Sequence, residues 1–134
     1  MRCLRLLADD LTGALDSAAR FVPVTGPVAV TWQHVAPEGS VAIDSGTRDL
    51  PAEAARQRIE RFVPLLDGGE PAFKKIDSLL RGHVALELAA CMRRFEIREL
   101  KNSPTVIWVK SRRRRDLEFI AAVSVLLRHK LPQV

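Results

Sequence analysis

The sequence predicts an α/β fold in which a mostly parallel sheet is flanked by helices. Two observations carry this prediction. Short apolar runs typical of buried strands alternate with segments whose apolar residues recur at helical spacing, and glycine- and proline-containing breakers separate them. Strands that alternate with helices are typical of βαβ units, whose sheets are parallel. A chain of 134 residues, 47% of them hydrophobic, is long enough to bury a core of this kind.

The first third of the chain predicts three strands and one helix. The strands occupy residues 3–8, 27–32 and 41–44, and a polar turn follows the third. Between the first two strands, Thr12 is a plausible N-cap for the helix. The apolar residues that recur at helical spacing in this segment are Leu11, Ala14, Leu15, Ala18 and Val22.

Two further helices and a fourth strand are predicted in the middle of the chain. Pro51 suits the first position of a helix. The stripe of that helix is Ala55, Ile59, Phe62, Val63 and Leu66, and residues 67–71 break it. Residues 72–77 predict the fourth strand, and a helix is expected to open near Ser78. Its stripe is Val84, Leu88, Cys91, Met92 and Phe95.

The last third differs in charge and reads as a separate segment. Residues 1–92 hold 10 Lys and Arg against 12 Asp and Glu, whereas residues 93–134 hold 11 against 4. We therefore divide the chain into residues 1–95 and a basic tail, 96–134, in which residues 105–109 predict a strand and residues 116–130 a helix. The run Arg112–Arg115 could bind phosphates non-specifically. No aromatic side chains interleave it, which favours a solvated loop over a nucleic-acid site.

Polar residues cluster where the predicted strands end. Because ligands of parallel sheets gather at the carboxyl ends of the strands, these residues predict a site for a small polar, anionic ligand on one rim of the sheet. They follow the first, third and fourth strands and the start of the next helix: Asp9, Asp10, Ser45, Thr47, Arg48, Asp49, Lys74, Lys75, Asp77, Ser78 and Arg81.

A purely structural explanation is open for several of them. Asp9 and Asp10 would stabilise the positive end of the next helix, and Asp77 or Ser78 would serve as an N-cap. Arg48 with its neighbour would form a solvated surface pair of little energetic value.

The sequence allows more specific predictions for two lysines, one glycine, the histidines and the cysteines. Lys74 and Lys75 point to opposite faces of a strand, so at most one readily faces the rim. Glycine early in a helix is unfavourable, so Gly82 indicates close approach by a ligand or another segment. The three histidines are scattered and predict no metal site, and the two cysteines, Cys3 and Cys91, read as reduced thiols.

Three stretches together resemble the four-carbon acid sugar kinase family: "LLADDLTGALDSAARF", "IDSGTRDLPAEAA" and "FKKIDSLLRGHVALEL". They occur in the family's order and spacing and cover about residues 3–92. The resemblance is to the first part of the family's N-terminal, sugar-acid-binding domain and implies an incomplete doubly wound sheet. It implies ATP-dependent phosphorylation of tetronates such as threonate, erythronate or their 3-oxo forms.

The resemblance also implies roles for the rim. The acidic pair Asp9 and Asp10 is the expected catalytic element, one of them orienting a substrate hydroxyl or acting as general base. Arg48 and Arg81 are expected to hold the substrate carboxylate. The other residues expected to bind the substrate are Ser45, Lys75, Asp77, Ser78 and Gly82. The family's usual threonine before "LRG" is Leu79 here.

ATP and Mg²⁺ are implied by the family, but the sequence contains neither a Walker motif nor "GxGxxG" to hold a nucleotide. We therefore expect a truncated kinase-like protein, inactive alone and completed by a separate nucleotide-binding chain. The alternatives are a non-catalytic hydroxy-acid-binding module and nucleic-acid binding through Arg112–Arg115. A cytoplasmic location is expected, since no apolar run is long enough for a membrane span, and uncovered sheet edges favour a homo-oligomer.

Overall fold

The structure is a computed structural model, and it describes residues 3–77, 79–99, 106–111 and 118–122. These residues form one sheet of seven strands flanked by helices. The elements are β1 Arg5–Ala8, α1 Leu11–Thr25, β2 Ala29–Thr31, β3 Val41–Asp44, α2 Ala52–Phe62, β4 Ala72–Lys75, α3 Val84–Arg94, β5 Phe95–Glu99, β6 Val106–Ser111 and β7 Glu118–Ala122, with a 3₁₀ turn at Val63–Leu66.

The strand order is β2-β3-β1-β4-β7-β6-β5, and the first five strands in that order are parallel. β6 pairs antiparallel with both β7 and β5. In the register of the central strands, Ala8 lies beside Asp44 and Leu7 lies beside Lys74. The predicted α/β fold with a mostly parallel sheet is confirmed, and the register aligns the carboxyl ends of β1, β3 and β4.

The sheet buries side chains on both faces because successive residues of each strand point to opposite sides. On one face, Leu6 and Phe73 pack with Ala14 and Ala18 of α1. On the other face, a larger cluster joins β1, β3 and β4 to α2, the 3₁₀ turn and α3, and its members include Leu7, Ile43, Ile59, Leu66, Ala72, Ile76, Leu88 and Cys91. Helices therefore cover both faces of the sheet, and the rim lies at the edge where the parallel strands end.

Two predicted helix starts are wrong. The N-cap of α1 is Asp10, whose side chain accepts the Gly13 N–H, and Thr12 is already inside the helix. α3 begins at Val84 rather than near Ser78, which itself lies outside the described residues. The Asp77 carboxylate accepts the backbone N–H groups of Leu79 and Arg81, which fixes a turn there instead of a helix.

In the basic tail, the structure has strands both where a strand was predicted and where a helix was predicted. β6 confirms the strand expected at 105–109, shifted to Val106–Ser111. β7, at Glu118–Ala122, lies inside the predicted helix 116–130, and Phe95, predicted in a helical stripe, begins β5. Residues 112–117, with the run Arg112–Arg115, and residues 123–134 lie outside the described residues. No helix in the described part of the chain has the length and apolar character needed to cross a membrane.

Candidate functional site

Arg48 lies at the centre of the rim and joins the ends of three strands. Its Nε donates to Asp9 Oδ2 at 3.1 Å, and its Nη2 donates to Asp9 Oδ1 at 3.0 Å and Asp10 Oδ1 at 2.9 Å. Asp77 Oδ1 lies 3.3 Å from the same nitrogen. The Arg48 side chain is only 13% exposed, so these contacts are largely shielded from solvent. Burial alone would lower the pKa of Arg48, but the hydrogen bonds to Asp9 and the negative charges of Asp9, Asp10 and Asp77 together raise it above its ordinary value.

Asp77 organises the turn that carries Arg81. Its Oδ2 accepts the N–H groups of Leu79 at 3.1 Å and Arg81 at 3.0 Å, and the Arg81 guanidinium grips both carboxylate oxygens at 2.9 Å. The hydrogen bonds from Arg81 hold the pKa of Asp77 well below its ordinary value of 3.8. The carboxyl is 4% exposed and Arg81 is 59% exposed, so Asp77 anchors a cation that reaches into solvent.

Asp10 differs from the other two carboxylates in having an uncommitted oxygen. Asp9 and Asp77 use both oxygens to accept from guanidinium groups. Asp10 accepts from Gly13 and Arg48 through Oδ1 alone, and among the residues that the structure describes none donates to its Oδ2. The side chain is 25% exposed, which leaves Oδ2 open to a ligand.

Two glycines allow the close packing of this rim. A Cβ at Gly13 would lie 2.6 Å from Asp10 Oδ1 and 2.7 Å from Lys75 Nζ, so the Lys75 ammonium sits beside the start of α1. Gly82 has a φ of 80°, and a Cβ there would lie 2.9 Å from Asp9 Oδ2. The close approach predicted for Gly82 is therefore made by Asp9 and Arg48.

A buried polar cluster lies below the rim, and the sequence prediction named two of its members only as rim residues and missed the third. Lys74 Nζ pairs with Glu87 Oε2 at 2.6 Å, and Thr47 Oγ1 donates to Glu87 Oε1. A signal was present: Lys74 shares a strand face with Ala72 and Ile76, both buried. Glu87 likewise falls in the apolar stripe of Val84, Leu88 and Cys91, at helical spacing.

The structure brings together most of the residues predicted for the site. Those that meet around Arg48 are Asp9, Asp10, Asp77, Arg81 and Gly82, with Lys75 beside Asp10. Ser45 does not reach the surface of the rim, because it is fully buried and its Oγ donates to Ala8 O at 3.0 Å. Ser78 lies outside the described residues. The role of each residue in binding or catalysis stays a prediction.

The charges of the rim residues determine whether they could bind the Mg²⁺ that the family implies. Its carboxylates face guanidinium groups, and across residues 3–77 and 79–99 no three His, Cys, Asp or Glu side chains are grouped so that they could hold a metal ion. The described carboxylates of the rim are thus paired with cations of the protein, and we assign neither Mg²⁺ nor ATP to any described residue.

Fold and rim together define a class of protein: a mostly parallel α/β domain with a charged rim at the carboxyl ends of its strands, the place where ligands of such sheets gather. Within that class, residues 4–125 match the family model described as a sugar-binding N-terminal domain, and the chain belongs to this family. The match extends past the three motifs and past residue 95 into the tail.

A curated relative agrees with this assignment. A D-threonate kinase from Cupriavidus necator is 37% identical to the chain over 93 residues, an alignment that covers 63% of the chain and 22% of the kinase. The chain thus spans about a fifth of the length of that relative. The resemblance to the N-terminal domain of four-carbon acid sugar kinases is confirmed, and the chain is kinase-like in this sense.

Proposed function

We propose that the chain binds a four-carbon sugar acid, of the threonate, erythronate or 3-oxo-tetronate class, as the acceptor half of an ATP-dependent phosphotransfer. The observation that carries the proposal is the convergence of Asp9, Asp10 and Asp77 on Arg48 at the carboxyl ends of parallel strands. Family membership and the D-threonate kinase relative support a tetronate as the ligand. A cytoplasmic location belongs to the same proposal.

Within this proposal Asp10 acts on the substrate hydroxyl and Asp9 positions Arg48. A general base must reach the proton it removes, and Asp10 Oδ2 is the open carboxylate oxygen of the cluster. Asp9 is 4% exposed and accepts from Arg48 with both oxygens, which suits a positioning role.

Arg81 and Lys75 are the cations proposed to hold the substrate carboxylate. Arg81 donates to Asp77 through Nε and Nη2, and no described residue accepts from its Nη1. Its exposure allows a ligand to approach, whereas the guanidinium of Arg48 is enclosed by carboxylates. Arg48 is therefore proposed to shape the pocket from below.

Replacing Arg81 with alanine is expected to weaken D-threonate binding by about 10- to 100-fold, the loss of charge-assisted hydrogen bonds. Isothermal titration calorimetry of the purified chain measures the affinity. Arg56→Ala is the matched control, since Arg56 lies on α2, is also exposed and pairs with Glu53 and Glu60 instead of the rim. Equal affinities of both variants would place the tetronate elsewhere, and no binding by the unaltered chain would end the proposal.

We further propose that the nucleotide and its Mg²⁺ are held by residues outside this 134-residue sequence, for example on a nucleotide-binding chain that joins it. A homo-oligomer of the sequence alone would not supply them. The purified chain is then expected to show no ATP-dependent phosphorylation of D-threonate, because no phosphate-binding glycine motif is present in its sequence. A coupled assay for ADP measures turnover. Activity of the chain by itself, lost in Asp10→Asn, would contradict this part of the proposal and leave the tetronate site intact.

A further inference from the structure

The buried polar cluster of Thr47, Lys74 and Glu87 extends beneath the rim to Ser45. Ser45 Oγ donates to Ala8 O at the end of β1 and lies 2.8 Å from Thr47 Oγ1. Thr47 Oγ1 donates to Glu87 of α3, whose other carboxylate oxygen pairs with Lys74 Nζ at 2.6 Å. Lys74 Nζ also donates to the Lys75 carbonyl at 2.8 Å. These contacts tie the ends of three central strands to one helix.

The buried polar cluster lies next to the rim but forms no part of its exposed surface. Thr47 directly precedes Arg48, and Lys74 and Glu87 line the same narrow crevice as Asp9 and Asp77. Thr47, Lys74 and Glu87 are each at most 2% exposed. Because these three side chains are buried, they can influence a ligand only indirectly, by fixing the positions of the rim residues.

Stability alone does not account for a buried ion pair at this place. Removing two charges from water is costly, and replacing such a pair with apolar side chains of similar volume is often neutral or stabilising. Hydrogen-bonded buried charges do, however, fix the relative positions of the elements that carry them. Here those elements are β4, α3 and the turn after β3.

We propose that Lys74, Glu87 and Thr47 are positioning residues for the tetronate site. They hold the turn at Thr47 so that the adjacent Arg48 reaches Asp9, Asp10 and Asp77 together. The ligand named here rests on the proposed function. The position of Arg48 does not, because its Nε–H, donated to Asp9 Oδ2, can be observed by NMR without any ligand.

Thr47→Val tests the link with the least disturbance, because valine keeps the shape and removes the hydroxyl. We expect the variant to fold, its Arg48 Nε–H to exchange faster with solvent, and its D-threonate affinity to fall about tenfold, since small displacements of positioning groups have large effects. Thr25→Val is the matched control: Thr25 is also buried, and its hydroxyl donates to Phe21 O at the far end of α1.

The double variant Lys74→Met, Glu87→Leu tests the ion pair with apolar side chains in its place. We expect a melting temperature close to that of the unaltered chain, with the Arg48 signal changed and the affinity at least about tenfold lower. Unchanged Arg48 exchange and affinity in Thr47→Val would overturn the proposal, whether or not the double variant folds. If the unaltered chain binds no D-threonate, the proposed function fails and the Arg48 signal alone decides the positioning role.

Discussion

Replacing Lys74 alone with methionine is expected to lower the free energy of unfolding by about 3–5 kcal/mol, the cost of leaving a buried charge without its partner. Glu87 is 2% exposed and has Lys74 as its ion-pair partner at 2.6 Å. Methionine fills a similar volume but carries no charge, so the buried carboxylate of Glu87 loses its ion-pair partner. Urea denaturation at neutral pH, followed by circular dichroism, measures the change.

A double-mutant cycle separates pairing from packing. Adding Glu87→Leu to Lys74→Met removes the orphaned charge, and we expect it to recover most of the lost stability, which corresponds to a large coupling energy between the two residues. The exposed pair of Glu53 and Arg56 on α2 is the control, for which the same cycle is expected to give at most about 1 kcal/mol. Additive losses at Lys74 and Glu87 would show that the buried contact is energetically unimportant.

The rim could be predicted from sequence because it depends on strand order and chain direction alone. Asp9, Arg48 and Asp77 each follow a strand, and parallel strands place their carboxyl ends on one edge. The pairing within the rim could not be predicted in the same way. Arg48 and Arg81 were predicted to hold the substrate carboxylate, and that role stays a prediction. The structure adds that each of them pairs with a carboxylate of the protein, a pairing that depends on side-chain distances.

Two errors in the predicted elements have physical causes. The turn at Leu79–Gly82 replaces a helical start because the Asp77 side chain competes for backbone N–H groups, and Gly82 adopts a positive φ. In the tail, Glu118–Ala122 forms a strand although its apolar pattern also suits a helix. A short apolar run does not distinguish the two, and pairing with β4 and β6 decides it here.

Replacing Asp77 with asparagine is expected to lower the free energy of unfolding by about 2–3 kcal/mol at neutral pH, because charge-assisted hydrogen bonds are lost in a buried place. The Asp77 carboxylate accepts two backbone N–H groups and both nitrogens of the Arg81 fork. An asparagine side chain offers one oxygen, and its NH₂ group would face the donors of Arg81.

The lowered pKa of Asp77 predicts how the stability of the folded chain changes with pH. Hydrogen bonds from Arg81 lower the pKa of Asp77 below 3.8, so the folded state keeps the carboxylate ionised more readily than the unfolded state does. The stabilisation is therefore present above pH 3.8 and is lost as the pH falls below that value. Denaturation curves from neutral to acidic pH should show a shallower acid limb for Asp77→Asn than for the unaltered chain.

Asp44→Asn is the matched control for Asp77→Asn, because it removes the same charge from the same rim. Burial raises the pKa of Asp44 against the hydrogen bond from the Gly46 N–H, and the nearby Asp10 and Asp9 add to the rise. Ionisation of Asp44 thus destabilises the folded state as the pH rises, the opposite of Asp77. We expect Asp44→Asn to be neutral or stabilising at neutral pH. Similar losses in both variants would mean that the rim responds to net charge, and that the specific contacts of Asp77 do not hold the turn of Arg81 in place.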